Sequence, residues 1–479
     1  MNTIQKIVKN ASLLLISRIL SYVLGFIYIM YTARYLGTEG FGTLSFALSF
    51  TGIFGILADL GLNTLLVRDV ARDKLLASKY LGDILLMKIF LSIFTVVTVA
   101  LSINLLGYKI QTVQVVYIIV LYVIFNSFSQ MFYALFQAYE KMEYQSITEI
   151  LNNILMFVGV LLVIYYNLNI LSFSLIYFVT SAIILGYNAF ICSKNFVLPE
   201  IHPKWIYLKF KLKEALPFGI TSIFSTLYVS IDTVMLSIMQ GNSAVGLYTA
   251  ASKIMALLTF IPAVINFAIF PAMSRLHISS PKTLKIMVWK YFKLMILVGV
   301  PIAVGISLLS KDIIFLIYGK NYEGSIIALQ ILIWTTVFIF ANSSFLQLFQ
   351  ATGKQLTVTK IIGVGTIINI ILNLLLIPRI TYIGAAFATL ISEFIFTILL
   401  IISTYNGGYG VGVKKLANYI LKVIIASLVM GLLIFYLHPI ILNIFILIPI
   451  SAIFYFIVLH IIGGIKKDEI LQLKRNLLN

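Results

Sequence analysis

The chain alternates long apolar runs with short polar gaps, and the runs are too long and too many for a water-soluble core. They fall at 11–35, 40–66, 81–106, 113–138, 146–166, 170–192, 214–239, 245–272, 287–309, 324–349, 356–377, 382–402, 418–437 and 440–462, with Pro439 marking the turn before the last. Each is near the about 20 residues that a helix needs to cross the hydrocarbon core of a bilayer. Inside that core a lone segment satisfies its backbone N–H and C=O groups only as a helix. The pattern predicts an all-α membrane protein of about fourteen transmembrane helices.

Composition agrees. Hydrophobic residues make up 61% of the 479 and charged ones 10%, and the mean hydropathy is +1.06. No soluble fold hides that much apolar surface. The first run extends past the length of a signal-peptide core and no small-residue cleavage site follows it, so it reads as a retained helix.

The net charge is +18, from 34 Lys+Arg against 16 Asp+Glu. The basic residues crowd every second gap: about 26 fall on the side of the N-terminus and only Lys109, Lys311, Lys320 and Arg379 on the other. By the positive-inside rule both termini are cytoplasmic, in a multi-pass protein of the cell membrane. Basic residues set between spans contact lipid headgroups, whereas nucleic-acid binding needs a basic patch on a soluble face. Membrane lipids are therefore expected partners and nucleic acid is not. The gap 201–213 alternates Lys204, Lys209, Lys211 and Lys213 with Trp205, Ile206, Leu208, Phe210 and Leu212, as a cytoplasmic interfacial linker would. The tail 466–479 mixes Ile470, Leu471, Leu473, Leu477 and Leu478 with basic residues and reads the same way, as an amphipathic anchor.

Two motifs recur in the same order. Phe132, Leu135, Phe136, Gln137, Ala138 and Lys141 return as Phe345, Leu348, Phe349, Gln350, Ala351 and Lys354, all at an offset of 213. Gly37, Gly42 and Ser45 return as Gly241, Gly246 and Thr249, at an offset of 204. The difference is taken up by extra residues around Ser310–Gly324. This is a duplication, and six spans per copy give a parallel repeat about an axis along the membrane normal. The expected organisation is a six-helix bundle at 1–200, the linker 201–213, a second bundle at 214–405, and two additional helices at 414–465. A cavity between two such bundles invites rocking between inward-open and outward-open states.

An ionisable side chain at mid-bilayer costs about 2.5–3.5 kcal/mol on insertion scales, so each needs a reason. Arg18 lies too deep for snorkelling alone, and its planar fork suits a phosphate or a structural partner such as Asp59. Asp232 and Lys253 sit at similar depths on successive helices. They fit a structural ion pair, a pair that opens toward substrate, or a carboxylate carrying a coupling ion. Glu393 is mid-helix without a sequence-local partner, which points to a wet cavity; Thr180 is its counterpart in the first copy. Arg34, Lys88, Glu149 and Lys360 lie within a few turns of helix ends and can snorkel. Glu149 and Lys360 occupy nearly equivalent positions in the two copies, as an inner gate closed by an ion pair would.

Enzymatic chemistry is thin. The single Cys192 allows no internal disulfide. The four histidines, His202, His277, His438 and His460, lack metal-ligand spacing, and Gly-rich Asn406–Gly412 has no Lys-Ser/Thr after it and is no phosphate loop. No enzyme, metal site or cofactor is expected, apart from a coupling ion, H+ or Na+.

Ser17-Arg18, the run Ala33-Arg34-Tyr35-Leu36-Gly37-Thr38-Glu39-Gly40-Phe41-Gly42, then Asp59-Leu60-Gly61-Leu62-Asn63 and Arg68 resemble the opening signature of the polysaccharide flippases, the Wzx type within the MOP exporter superfamily. Val245–Ala251 resembles that family's second-half counterpart, and Ile313–Tyr322 its segment before helix 10. The resemblance implies transport of a polyprenyl-diphosphate-linked oligosaccharide from the cytoplasmic to the outer face by alternating access. It implies a cationic central cavity that takes the headgroup while the tail stays in lipid, and it makes other membrane proteins of glycan assembly further partners. The substrate-binding candidates are then Arg18, Lys253, Arg34, Asp59, Asp232 and Glu393, with Arg18 the foremost phosphate contact. Only Arg18, Arg34 and Asp59 lie within matched motifs. A peptidoglycan-precursor flippase and a cation-coupled multidrug antiporter of the same superfamily remain open, with a membrane glycan polymerase or ligase and an assembly scaffold more distant.

Overall fold

The computed structural model describes the backbone of residues 3–200, 205–410, 413–441 and 443–464, and within these the side chains of 20–200, 208–410, 416–441 and 443–464. The described elements are helical throughout. They run α1 (Thr3–Gly55), α2 (Leu62–Arg72), α3 (Ala77–Leu105), α4 (Ile110–Ala138), α5 (Met142–Tyr165), α6 (Ile170–Asn195), α7 (Trp205–Gln240) and α8 (Asn242–Leu258). Then follow α9 (Phe260–Ser279), α10 (Pro281–Leu308), α11 (Ser310–Ile317), α12 (Ser325–Ala351), α13 (Gln355–Thr404), α14 (Val413–Leu437) and α15 (Ile444–Ile461). The amphipathic tail expected at 466–479 lies outside the described residues.

Among the described residues twelve stretches are helical, long and apolar enough to cross a membrane. Two of them contain a break. At 1.5 Å per residue the 50 residues of α13 would extend about 75 Å, more than twice a bilayer core of about 30 Å. The helix reverses at Ile380 and Thr381, the latter with φ of 54°. Gly384 then lies so close to the carbonyl of Leu376 that a side chain would collide with it. The 53 residues of α1 break likewise at Gly37, where φ is 65° and a side chain would be strained. With each long element counted as two arms, the described residues hold twelve to fourteen candidate crossings of a multi-pass membrane protein.

Two local expectations change. The span drawn through 40–66 is interrupted: α1 ends in a 3-10 turn at Ile56–Ala58, and Leu60 and Gly61 take φ of 46° and 88° before α2 begins. The cause is Asp59, whose carboxylate accepts from the backbone N–H of Gly61 (3.2 Å) and Asn63 (3.3 Å) and so caps the following helix. The interfacial linker is also different where it is described. Residues from Trp205 onward continue into α7, and Lys211, expected among headgroups, is 2% exposed.

The duplication shows in backbone geometry. At the end of α4, the N–H of Glu140 donates to Gln137 (3.0 Å) and that of Lys141 to Phe136 (2.9 Å), with Glu140 left-handed at φ 58°. At the end of α12, Gly353 donates to Gln350 (3.3 Å) and Lys354 to Phe349 (2.8 Å), with Gly353 at φ 69°. Every partner is offset by 213. Both ends are Schellman caps, and they close the last carbonyls of two equivalent helices in the same way.

Two compact units divide the chain. The first holds 1–250 and 366–385. It is packed around two apolar clusters, one centred on Leu66, Leu81 and Phe136, the other on Phe46, Ile119 and Phe173. The second holds 251–365 and 386–479. A cluster there runs from Met273 to Leu459. There α14 and α15 lie against α10, held by Tyr419 Oη donating to the carbonyl of Lys293 (3.2 Å) and Tyr455 Oη to that of Leu297 (2.9 Å).

Candidate functional site

In the first unit the two copies of the glycine motif meet. A Cβ on Gly42 would collide with the carbonyl oxygen of Asn242, and one on Gly246 with the carbonyl oxygen of Thr38. Thr38 and Asn242 are themselves 204 apart, as are Gly42 and Gly246, so the contact is reciprocal about a local two-fold relation. Gly37 and Gly241, both left-handed, start the two crossing helices. Small residues let helix backbones approach in a membrane, where packing and not hydrophobicity holds helices together. Side chains then rim the crossing: Asn242 Nδ2 donates to Thr43 Oγ1 (2.8 Å), Thr38 Oγ1 lies 3.3 Å from Ser243 Oγ, and Ser237 Oγ donates to Asn242 Oδ1 (2.7 Å).

Asp59, within the matched motif, is tied to a cation of another helix. Its Oδ1 is 2.8 Å from Nζ of Lys88, with side-chain exposures of 25% and 0%. Lys88 also donates to the Ser127 carbonyl (3.0 Å) and to Ser127 Oγ (2.8 Å). All three ammonium protons are thereby taken, so Lys88 points inward and does not snorkel. The ion pair clips the broken end of α1 to α3 and α4.

Asp232, 3% exposed, is held by neutral donors where the sequence offered Lys253. Tyr248 Oη donates to Oδ2 (2.8 Å) and Asn373 Nδ2 to Oδ1 (2.5 Å); Asn373 also donates to Asn369 Oδ1 (3.0 Å). The Oδ1 of Asn373 is buried with no hydrogen-bond donor among the described residues. Three helices, α7, α8 and the first arm of α13, thus converge on one carboxylate. In the second unit Glu393 accepts from Asn342 Nδ2 (3.0 Å), and it is 6% exposed. Close by in sequence, Ser343 Oγ lies 3.0 Å from Tyr291 Oη, which pairs with Asn266 (2.5 Å).

The other candidates spread out. Lys253 is half-buried and makes no hydrogen bond or ion pair among the described residues. Arg34 is exposed, as is Lys360. Arg18 belongs to α1, and its side chain lies outside the described residues. Neither Glu149 nor Lys360 forms an ion pair among the described residues. Glu149 Oε1 accepts instead from Gln145 Nε2 (2.8 Å), and Gln145 Oε1 accepts in turn from Gln137 Nε2 (2.9 Å).

Sequence reasoning passed over two features. The first is an ionic cluster that ties α7 to α2 and α3. Arg68 pairs with Asp69 (2.7 Å) and Glu214 (3.5 Å), Tyr80 Oη donates to Asp69 (2.8 Å), and Lys211 Nζ lies 4.0 Å from Asp69 and 2.9 Å from the Tyr80 ring centre. Beside it, Gly61 and Gly219 bring the backbones of 60–61 and 215–219 into contact. The second is a polar cavity of about 240 Å³ among α1, α4, α5 and α6, into which Asn126, Gln130, Tyr133, Glu149 and Asn152 project. The cavity was readable in part, since uncharged amides repeat through these apolar helices. The second unit has an apolar counterpoint, a cavity of about 320 Å³ between α10, α14 and α15, lined by residues such as Leu297, Pro301, Met430 and Tyr455.

Comparison with known proteins bears on what these features serve. The family model described as polysaccharide biosynthesis protein matches residues 7–277, and the MatE model matches 217–375. The chain is 25% identical over 398 residues to the capsular polysaccharide biosynthesis protein CapF of Staphylococcus aureus, covering 81% of this chain and 96% of that one. It is 30% identical over 179 residues to the probable flippase AglR of Haloferax volcanii, 36% and 37% of the two chains. Among solved structures, the lipid II flippase MurJ in an inward closed conformation superposes with a TM-score of 0.77 at 18% identity, over 98% of this chain and 100% of that one. At that identity the likeness is one of fold.

Proposed function

Because the chain belongs to the polysaccharide biosynthesis protein family, we propose that it is a flippase. It moves a polyprenyl-diphosphate-linked oligosaccharide from the cytoplasmic to the outer face of the cell membrane by alternating access, with both termini cytoplasmic. The observation that carries this reading is the reciprocal crossing at Gly42 and Gly246. Two copies of one repeat meet there through glycine and backbone, the kind of close main-chain contact on which one copy can move against the other. The relatives named for capsular polysaccharide and for flippase activity support the cargo.

Physically, a diphosphate sugar cannot pass unaided through hydrocarbon, because an unpaired ion is far too costly to desolvate. A polar interior that opens alternately to each face removes that barrier without covalent chemistry. Lys253, with no internal partner among the described residues, is a cation available to a phosphate, and Arg18 is the second. Asp59, held by Lys88, serves the helix break instead. Asp232 is the carboxylate for a coupling cation, H+ or Na+. The undonated Oδ1 of Asn373 beside it fits a hard cation, which binds through oxygen ligands.

The test is transfer of a lipid-linked oligosaccharide in proteoliposomes, read by accessibility to an added glycosidase. Protein-dependent transfer that Arg18→Ala abolishes supports the proposal. No transfer, with pH- or sodium-driven efflux of a cationic dye, would favour the antiporter reading that the MatE match keeps in view.

A further inference from the structure

We propose that the polar cavity of the first unit is a subsite for one sugar ring of the transported glycan. The inference rests on the flippase reading and adds where the glycan is recognised. The cavity's donors and acceptors are those that bind vicinal hydroxyls: the amides of Asn126, Gln130 and Asn152, the carboxylate of Glu149, and the phenols of Tyr122 and Tyr133. An amide offers both a donor and an acceptor to a pair of sugar hydroxyls, and a tyrosine ring offers a flat face to the C–H side of a pyranose.

The three amides are not used up by the fold. The side chains of Asn126, Gln130 and Asn152 make no hydrogen bond among the described residues. Ser129, 1% exposed, and Ser21 both line the cavity with a buried hydroxyl that has no partner among the described residues. A buried polar group left unmatched costs about 1–3 kcal/mol, so such a set is retained for something that binds there.

The duplication supplies an internal control. At the offset of 213, which holds from α4 through the start of α5, the counterparts of Asn126, Tyr133, Glu149 and Asn152 are Ile339, Leu346, Ile362 and Gly365. Polarity at these four positions is thus particular to the first copy, whereas Ser129 and Gln130 keep polar counterparts in Asn342 and Ser343.

Size and charge choose among occupants. At about 240 Å³ the cavity falls just below the roughly 300–1,000 Å³ of pockets for drug-sized ligands, which suits one sugar ring and no more. A single cation drawn in by oxygen ligands at about 2.3–2.6 Å would leave most of it empty. Glu149 is the one carboxylate on its wall, and its Oε1 is already engaged by Gln145. Gln130, exposed, marks the open edge. Ser21 follows Arg18 by three residues on α1, so a sugar in the cavity sits near the residue proposed for its diphosphate.

The test compares binding of the purified full-length protein to bare undecaprenyl diphosphate and to the same lipid carrying one glucose, galactose, N-acetylglucosamine or N-acetylgalactosamine. The wild type is expected to bind at least one glycosylated lipid about tenfold more tightly than the bare one, as a few net hydrogen bonds would give. Asn152→Leu and Gln130→Leu should erase that preference and leave affinity for the bare lipid unchanged. Gln130 lies at the rim, so its variant guards against simple misfolding. If the wild type transports lipid-linked oligosaccharide but binds all five lipids alike, or if both variants keep the preference, the subsite is wrong and the flippase reading stands. If Glu149→Gln abolishes a sodium dependence and no sugar preference exists, the cavity is a cation site and the proposal is overturned. A wild type that neither transports nor binds any of these lipids overturns both.

Discussion

Gly42 and Gly246 stand 204 residues apart, and each faces a backbone carbonyl of the other's helix: Gly42 that of Asn242, Gly246 that of Thr38. The relation is that of two copies of one motif packed on each other. It joins the two repeats by their main chains, where there is no room for a side chain on either side. Transport by relative motion of two bundles needs such a contact, tight when made and cheap to separate.

Gly42→Leu or Gly246→Leu should therefore prevent this crossing from closing. Overpacking a well-fitted contact costs about 1–3 kcal/mol, so the variants should melt lower in detergent and lose transport. Gly52, with nothing within 4 Å of an added Cβ, is the control: Gly52→Ala should melt and transport like the wild type.

Removing one partner of the Asp59–Lys88 pair should be costly. Lys88→Met leaves Asp59 without its cation beneath a helix break, at about 3 kcal/mol, the low end for a buried pair because Asp59 reaches water. Asp59→Asn in the same chain should recover part of that loss. Thermal unfolding of the two single variants and the double variant reads the coupling.

The paired Schellman caps predict opposite responses at equivalent positions. Glu140 holds φ of 58° where its counterpart is Gly353 at 69°. Glu140→Gly should stabilise by about 1 kcal/mol and Gly353→Ala should cost a similar amount, because a left-handed conformation strains any residue with a Cβ. Equal and opposite shifts in Tm would check the equivalence.

The sequence carried the architecture for a physical reason: each crossing needs its own apolar run, so hydropathy reports it locally. It carried the repeat too, because glycine at a close approach and a cap residue at a helix end cannot be exchanged freely. The break at Asp59–Gly61 was hidden, since a short capping carboxylate inside an apolar run looks like a charge in need of a ligand. Lys88 was misjudged for the same reason, as its partner Asp59 lies on another helix. The cluster of Arg68, Asp69, Tyr80, Lys211 and Glu214 pairs residues up to 146 apart in sequence, which no local pattern reports. Asn369 and Asn373 were legible in principle, as two amides four apart on one face of an apolar helix.

That ionic cluster makes its own prediction. Asp69→Ala removes the acceptor shared by Arg68, Tyr80 and Lys211, whose nearly buried ammonium lies over the Tyr80 ring. The start of α7 should loosen, and a cysteine placed at Leu208, buried in the wild type, should become reactive to a water-soluble maleimide. Arg68→Lys, which keeps the charge, should loosen it less.

The central claim, that transport requires the two copies to part at the glycine crossing, is tested most directly by locking it. Thr38 Oγ1 and Ser243 Oγ are 3.3 Å apart, close enough for Thr38→Cys and Ser243→Cys to form a disulfide, and the one native cysteine, Cys192, is buried. The measurement is the rate of lipid-linked oligosaccharide transfer by this double variant in proteoliposomes, oxidised and then reduced. Arrest on oxidation and recovery on reduction is the predicted result; an oxidised, cross-linked protein that transfers its lipid at the reduced rate would contradict the account.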